Sequence, residues 1–129
     1  MNTRAYRIDP PGGECETRAV DERAVSRALA ALPADVARER LVGIFAALAD
    51  PTRVRMLLAL AREPLCVCDL AGVAGVTQSA VSHQLRTLRL LDLVTWERDG
   101  KRAVYRLADD HVRVLLEIGL QHAIEGDAR

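Results

Sequence analysis

Apolar residues recur at helical spacing along most of this chain, and Pro, Gly and Asp interrupt them at intervals. A short helix is expected from about Val20 to Leu32, where Pro33 stops it. A second is expected over about 34–49, with Val36, Leu41, Ile44, Phe45 and Leu48 on one face. Asp50-Pro51 then combines an N-cap acid with Pro at the first helical position. It predicts a helix over about 51–61 that buries Val54, Leu57, Leu58 and Leu60. Pro64 to Ala71 reads as a further short helix ending near Gly72 to Gly75, and Thr77 caps another over Gln78–Leu91. The period then changes. Leu93–Arg98 and Arg102–Leu107 are β-prone runs around Asp99-Gly100, a hairpin signal. The last periodic segment, Asp109 to Glu125, is helical again, with Val112, Leu115, Leu116 and Leu120 apolar. Residues 1–17, with Pro10-Pro11-Gly12-Gly13, read as unstructured.

Composition narrows the class. At 129 residues the chain fits one domain. Half of it is apolar but only 3% aromatic, so Leu, Val and Ala must pack the core. Formal net charge is zero, which argues against a non-specific nucleic-acid binder and leaves room for a specific one with charge placed locally. No apolar run approaches the length needed to span a bilayer and no secretory signal is visible, so a cytoplasmic location without a membrane partner is expected. Three Cys in a reducing compartment favour metal binding or redox chemistry over structural disulfides.

The two short helices joined through Gly75 have helix-turn-helix form. The second carries Gln78, Ser79, Ser82, His83, Gln84, Arg86 and Arg89 outside an apolar face of Val81, Leu85 and Leu88. Small polar and Arg side chains suit base edges and phosphates of double-stranded operator DNA. Arg98, Lys101 and Arg102 crowd the hairpin tip, where a wing would lie against the DNA backbone. A generic helical bundle with a hairpin lid and an ordinary solvated turn is the bland alternative. The fold class expected is mainly α with a small β-hairpin wing, a winged helix-turn-helix homodimer. The expected division is a flexible arm, residues 1–18, bearing Cys15, and a winged domain, residues 19–129, closing on a dimerisation and metal helix.

Asp109, His111, His122 and Glu125 are all potential metal ligands on that last helix. His111 and His122 are eleven residues apart, close to three turns, so both point the same way. The rise separates the two pairs by roughly 16 Å, so one helix cannot bring four ligands to one ion. Two antiparallel copies can, building two equivalent sites across a two-fold axis. Two imidazoles and two carboxylates suit tetrahedral Zn and tolerate Co. Taken singly, each residue has an ordinary role: Asp109 and Asp110 at a helix start, Glu125 as a solvated charge.

The chain resembles the ArsR/SmtB family of winged-helix metal-sensing repressors over about residues 36–125. The resemblance rests on Phe45-Ala-Ala-Leu-Ala-Asp-Pro-Thr-Arg-Val-Arg55, Leu65-Cys-Val-Cys-Asp-Leu-Ala71, Gln78-Ser-Ala-Val-Ser-His-Gln-Leu-Arg-Thr-Leu88 and Gly100-Lys-Arg-Ala-Val-Tyr105. It implies a homodimer that represses transcription as the apo protein and leaves its operator when metal binds. It also implies that Asp109, His111, His122 and Glu125 form the inter-subunit site of zinc-responsive members. Cys66 and Cys68 match a thiolate site of cadmium- and lead-sensing members, completed there by Cys from the partner's arm, a place Cys15 can fill. Asp69 matches a zinc-ligating position in another branch. The arm departs from the cadmium type in offering one Cys rather than two. Asp69, Glu14, Glu16 or water are then candidates for a fourth ligand. Three sulfurs suit Pb or Cd, and a mixed sulfur and oxygen set could hold Zn.

The implied regulatory ligands are Zn(II), Cd(II) and Pb(II). The alternative within this fold is a repressor whose Cys15, Cys66 and Cys68 respond to oxidants or sulfide. No open coordination position or general base in a cleft suggests an enzyme or a small organic substrate.

Overall fold

The computed structural model describes residues 20–127, arranged as two compact units divided after Ala34. The first contains helix α1 (Glu22–Ala31). Asp21 caps it, its carboxylate accepting from the amides of Arg23 and Ala24 at 3.0 and 3.1 Å. None of the α1 side chains is buried, and Val25, Leu29 and Leu32 are exposed.

The second unit runs α2 (Asp35–Leu48), α3 (Pro51–Leu60), β1 (Leu65–Cys66), α4 (Val67–Ala74), α5 (Gln78–Leu90), β2 (Val94–Asp99), β3 (Arg102–Leu107) and α6 (Asp110–Asp127). Local signals explain most boundaries. Asp50 accepts from the Arg53 amide at 2.9 Å and Pro51 opens α3. Thr77 accepts from the Ala80 amide at 3.1 Å and opens α5. Gly75, at φ +70°, closes α4 in the left-handed region that favours glycine. Helix α5 ends in a Schellman motif without glycine. Leu93 N–H donates to the Leu88 carbonyl at 2.9 Å and Asp92 N–H to Arg89 at 3.0 Å, with Asp92 at φ +56°. A short polar side chain tolerates that conformation better than most.

The core joins Met56, Leu57 and Leu60 of α3 to Leu70 of α4 and to Val81, Leu85 and Leu88 of α5. Leu93, Val94, Tyr105 and Leu107 cover it from the sheet side, and Val112 and Leu116 from α6. Burying a side chain of this size contributes about 1.5–3 kcal/mol, so α5 is held by its apolar face while its polar face stays free.

Three expectations need correction. The segment from Pro64 to Ala71 is not one helix. Leu65 and Cys66 form strand β1, paired with Tyr105 and Val104 of β3, and the wing sheet has three antiparallel strands in the order β1-β3-β2. The partner strand lies about forty residues away, so only tertiary pairing could override the local helical pattern. Next, α3 buries Met56 fully, while Val54 and Leu58 are half-buried. Finally, the apolar face of α2 is largely exposed in the single chain. Val36, Leu41 and Phe45 are 68, 47 and 53% accessible, and Ala47 is the one fully buried residue of that helix.

Candidate functional site

The polar face of α5 presents Gln78, Ser79, Ser82, His83 and Arg86 to solvent. Two of its other polar residues are tied to the body. Arg53 Nε on α3 donates to Gln84 Oε1 at 2.6 Å, and the Arg89 guanidinium lies 5.6 Å from the centre of the Trp96 ring on β2. Trp96 in turn sits 6.5 Å from Tyr105 of β3. Arg53 and Trp96 were not singled out in the sequence. Their contacts span 31 and 7 positions, and only packing brings those partners together. These contacts link α5 to β2 of the wing and to α3.

Strands β2 and β3 pair from Val94–Leu107 to Asp99–Arg102, leaving Gly100 and Lys101 as a two-residue turn. Gly100 has φ +62°, the positive value that a two-residue hairpin turn needs at its first position. Arg98, Lys101 and Arg102 are exposed at this end, with Arg102 3.9 Å from Asp99. Exposed cations at a hairpin tip beside an exposed polar helix suit a duplex whose backbone and groove are met together.

The thiol pair lies at the root of this wing. Cys66 is buried and ends β1, whereas Cys68 is exposed on the first turn of α4. Both line a recess of about 210 Å³ with Val67, Lys101, Arg102 and Ala103. The Asp69 carboxylate reaches back over the start of α4. Its Oδ2 accepts from Cys66 Sγ at 3.1 Å and from the Cys66 amide at 3.4 Å. The thiol's hydrogen bond first and the amide's second hold the Asp69 carboxyl below the usual carboxylate range; burial opposes them, and the Arg102 charge adds the smallest lowering effect. Cys66, Cys68 and Asp69 are thus neighbours; Cys15 lies outside the described residues.

The C-terminal quartet is divided between the ends of α6. Asp109 Oδ1 accepts from the Val112 amide at 3.2 Å, capping α6, and stands 3.5 Å from Nδ1 of the solvent-exposed His111. At the other end of the helix Glu125 accepts from Gln121 Nε2 at 3.1 Å, and His122 is exposed beside it. Among the described residues no three His, Cys, Asp or Glu side chains gather in a way that could hold a metal. Between the two pairs α6 exposes Val114, Ile118 and Leu120, and within the second pair Ile124. Its inner side and α2 and α3 enclose an apolar cleft of about 330 Å³ lined by Phe45, Leu48, Val54, Leu58, Leu115, Leu116, Gly119, Leu120 and Ala123. No helix among the described residues is long and apolar enough to cross a membrane.

Comparison with known proteins accords with this geometry. The family model for bacterial regulatory proteins of the arsR family matches residues 50–95, which hold α3, the helix-turn-helix and the start of the wing. A transcriptional repressor SmtB homolog from Synechocystis is 49% identical over 69% of this chain and 67% of its own length. A cadmium resistance transcriptional regulatory protein CadC homolog from Staphylococcus aureus is 37% identical over 86% of this chain and 92% of its own. Among solved structures, the homodimeric winged helix-turn-helix DNA-binding domain of a possible ArsR-family regulator from Mycobacterium bovis superposes with a TM-score of 0.69. It is 27% identical and covers 74% of this chain and 92% of that one. The polar α5, the basic wing and these relatives lead to one family, and the chain belongs to the arsR family of bacterial regulatory proteins.

Proposed function

We propose that this chain is a metal-responsive transcriptional repressor that binds operator DNA as an apo homodimer and is released by Zn(II), Cd(II) or Pb(II). The observation that carries the reading is the division of His111/Asp109 and His122/Glu125 between opposite ends of one helix that also exposes Val114, Ile118 and Ile124. An antiparallel second α6 would cover the apolar residues and bring each Asp109/His111 pair beside the partner's opposite end. The homodimeric neighbour supports that assembly, and the relatives named for cadmium resistance and as an SmtB homolog support the metal response.

The donor chemistry fits. Asp109 uses Oδ1 for its cap, leaving Oδ2 for a ligand role, and His111 is exposed with its imidazole unburied. Two imidazoles and two carboxylates suit Zn, while Cys66, Cys68, Cys15 and Asp69 form a softer set for Cd or Pb. In the complex with DNA, the helix α5 of each subunit enters successive major grooves, with Gln78, Ser79, Ser82, His83 and Arg86 toward the groove, Gln84 and Arg89 held by Arg53 and Trp96, and Arg98, Lys101 and Arg102 toward the backbone. Metal and DNA must oppose each other reciprocally. Moving the population from mostly bound to mostly free takes about 5 kcal/mol of differential affinity.

The test is binding of the full chain to the duplex immediately upstream of its own coding sequence, under reducing conditions. It is measured with chelator and then with Zn, Cd, Pb and Co. Tight binding in chelator and release by at least one metal is expected. An affinity that no metal changes sinks the reading, and release by peroxide or sulfide alone transfers it to thiol sensing.

A further inference from the structure

Resting on the reading of α5 as the helix that enters the major groove, we propose that Arg53 is a specificity-determining positioning residue. By holding Gln84 it fixes the rotation of α5 about its own axis, so that Ser79, Ser82, His83 and Arg86 meet base edges. Gln84 stands apart from those four. Successive helical residues are about 100° apart, so Gln84 lies roughly 160° around the helix from Arg86. It is half-buried, whereas the four are exposed. Its side-chain oxygen accepts from Arg53 Nε at 2.6 Å, a hydrogen bond with a charged donor.

The base of this tether is itself anchored. Arg53 is in the first turn of α3, and its amide donates to the Asp50 cap at 2.9 Å. Met56, Leu57 and Leu60 of the same helix are fully buried. At the other border of the apolar face of α5, Arg89 lies 5.6 Å from the centre of the Trp96 ring. Gln84 and Arg89 are about 140° apart around the helix, and Val81, Leu85 and Leu88 fill the arc between them. Apolar burial is non-directional and by itself leaves α5 some freedom to turn. A turn of about 20° carries a side chain roughly 5–6 Å from the axis through about 2 Å, more than a hydrogen bond to a base tolerates. Phosphate contacts from long side chains at the wing adjust to such a shift and carry no sequence information. Losing the tether therefore costs discrimination between sequences rather than affinity for DNA in general.

The test compares binding of the full chain, in chelator and at several salt concentrations, to two duplexes. One is the duplex immediately upstream of its own coding sequence; the other is a scrambled duplex of the same length and composition. Arg53→Met keeps the length of the side chain and removes the donor. It should lower the ratio of the two affinities about 10-fold, with affinity for the scrambled duplex within about twofold of native. Gln84→Ala, which changes no charge, should lower the ratio equally, and the double variant no further than either. An unchanged ratio in either single variant, or losses that add in the double, overturns the proposal. A loss on both duplexes with a salt slope smaller by about one per subunit also overturns it, because Arg53 would then be a phosphate contact. A preference altered at a single base pair by Gln84→Ala alone does the same, because Gln84 would then read a base. If Arg53→Met does not fold, as judged from Trp96 fluorescence, Gln84→Ala decides on the same two affinities. A native chain that binds both duplexes alike would instead sink the reading of α5 as an operator-reading helix, and this proposal with it.

Discussion

The two proposed metal-ligand regions use their carboxylates in the same local way and their surroundings in opposite ways. Asp109 caps α6 through the Val112 amide, and Asp69 closes the start of α4 through the Cys66 amide. Each acid would be explained by its helix alone. Around Asp109, however, the helix exposes apolar residues and its ligand pairs are split end from end. Around Asp69, the thiols share a recess with the wing's own cations. As a metal site the first region would need another copy of the chain, and it lies on a helix that exposes Val114, Ile118 and Ile124. The second is built into the elements that would meet DNA. Proximity to the DNA-facing surface favours the thiol pair as regulator, and the count of four nitrogen and oxygen donors on one helix favours the quartet.

The largest effect should separate them outright. Removing one ligand by His122→Ala should lower zinc affinity at least 100-fold, beyond the 10–100-fold typical of an outer-shell partner. Cadmium–thiolate absorbance should stay as in the native chain. Isothermal titration with Zn and ultraviolet titration with Cd measure the two; loss of both responses together would erase the distinction. Asp109 offers a finer cut. Asp109→Ala should cost about 1 kcal/mol of stability through the lost cap as well as weakening zinc, whereas Asp109→Asn should keep the cap and lose zinc affinity alone. Chemical denaturation alongside zinc titration reads both, and equal destabilisation by the two variants would refute the cap. The smallest effect belongs to Gln121→Ala. It removes only the i,i+4 contact to Glu125 and should change stability by about 0.2–0.5 kcal/mol with zinc affinity nearly unaltered. A large loss of zinc affinity there would mean that Gln121 positions Glu125.

Much of the fold was legible because its signals are local. Asp50-Pro51, Thr77, Gly75 and Asp99-Gly100 act through their own or adjacent amides, and the structure uses each near the expected boundary. Val81, Leu85 and Leu88 repeat at helical spacing and are all fully buried. What misled was a segment whose partner is distant. Leu65-Cys66 has no local reason to be extended, and only β3 supplies one. Similarly, the apolar pattern of α2 showed which residues avoid water but not that much of this face stays uncovered within one chain.

For the functional residues the division follows the same physics. Sequence by itself determined that Asp109/His111 and His122/Glu125 share one helix yet stand too far apart to meet, because helical rise and period follow from backbone geometry. It also determined that Cys66, Cys68 and Asp69 would be neighbours, since four consecutive positions cannot separate. Tertiary structure alone decided that Cys66 would be buried and Cys68 exposed, that Arg53 would hold Gln84, and that Arg89 would stack on Trp96. It alone set Arg102 beside the thiols, because strand pairing between β1 and β3 joins residues that the chain keeps far apart.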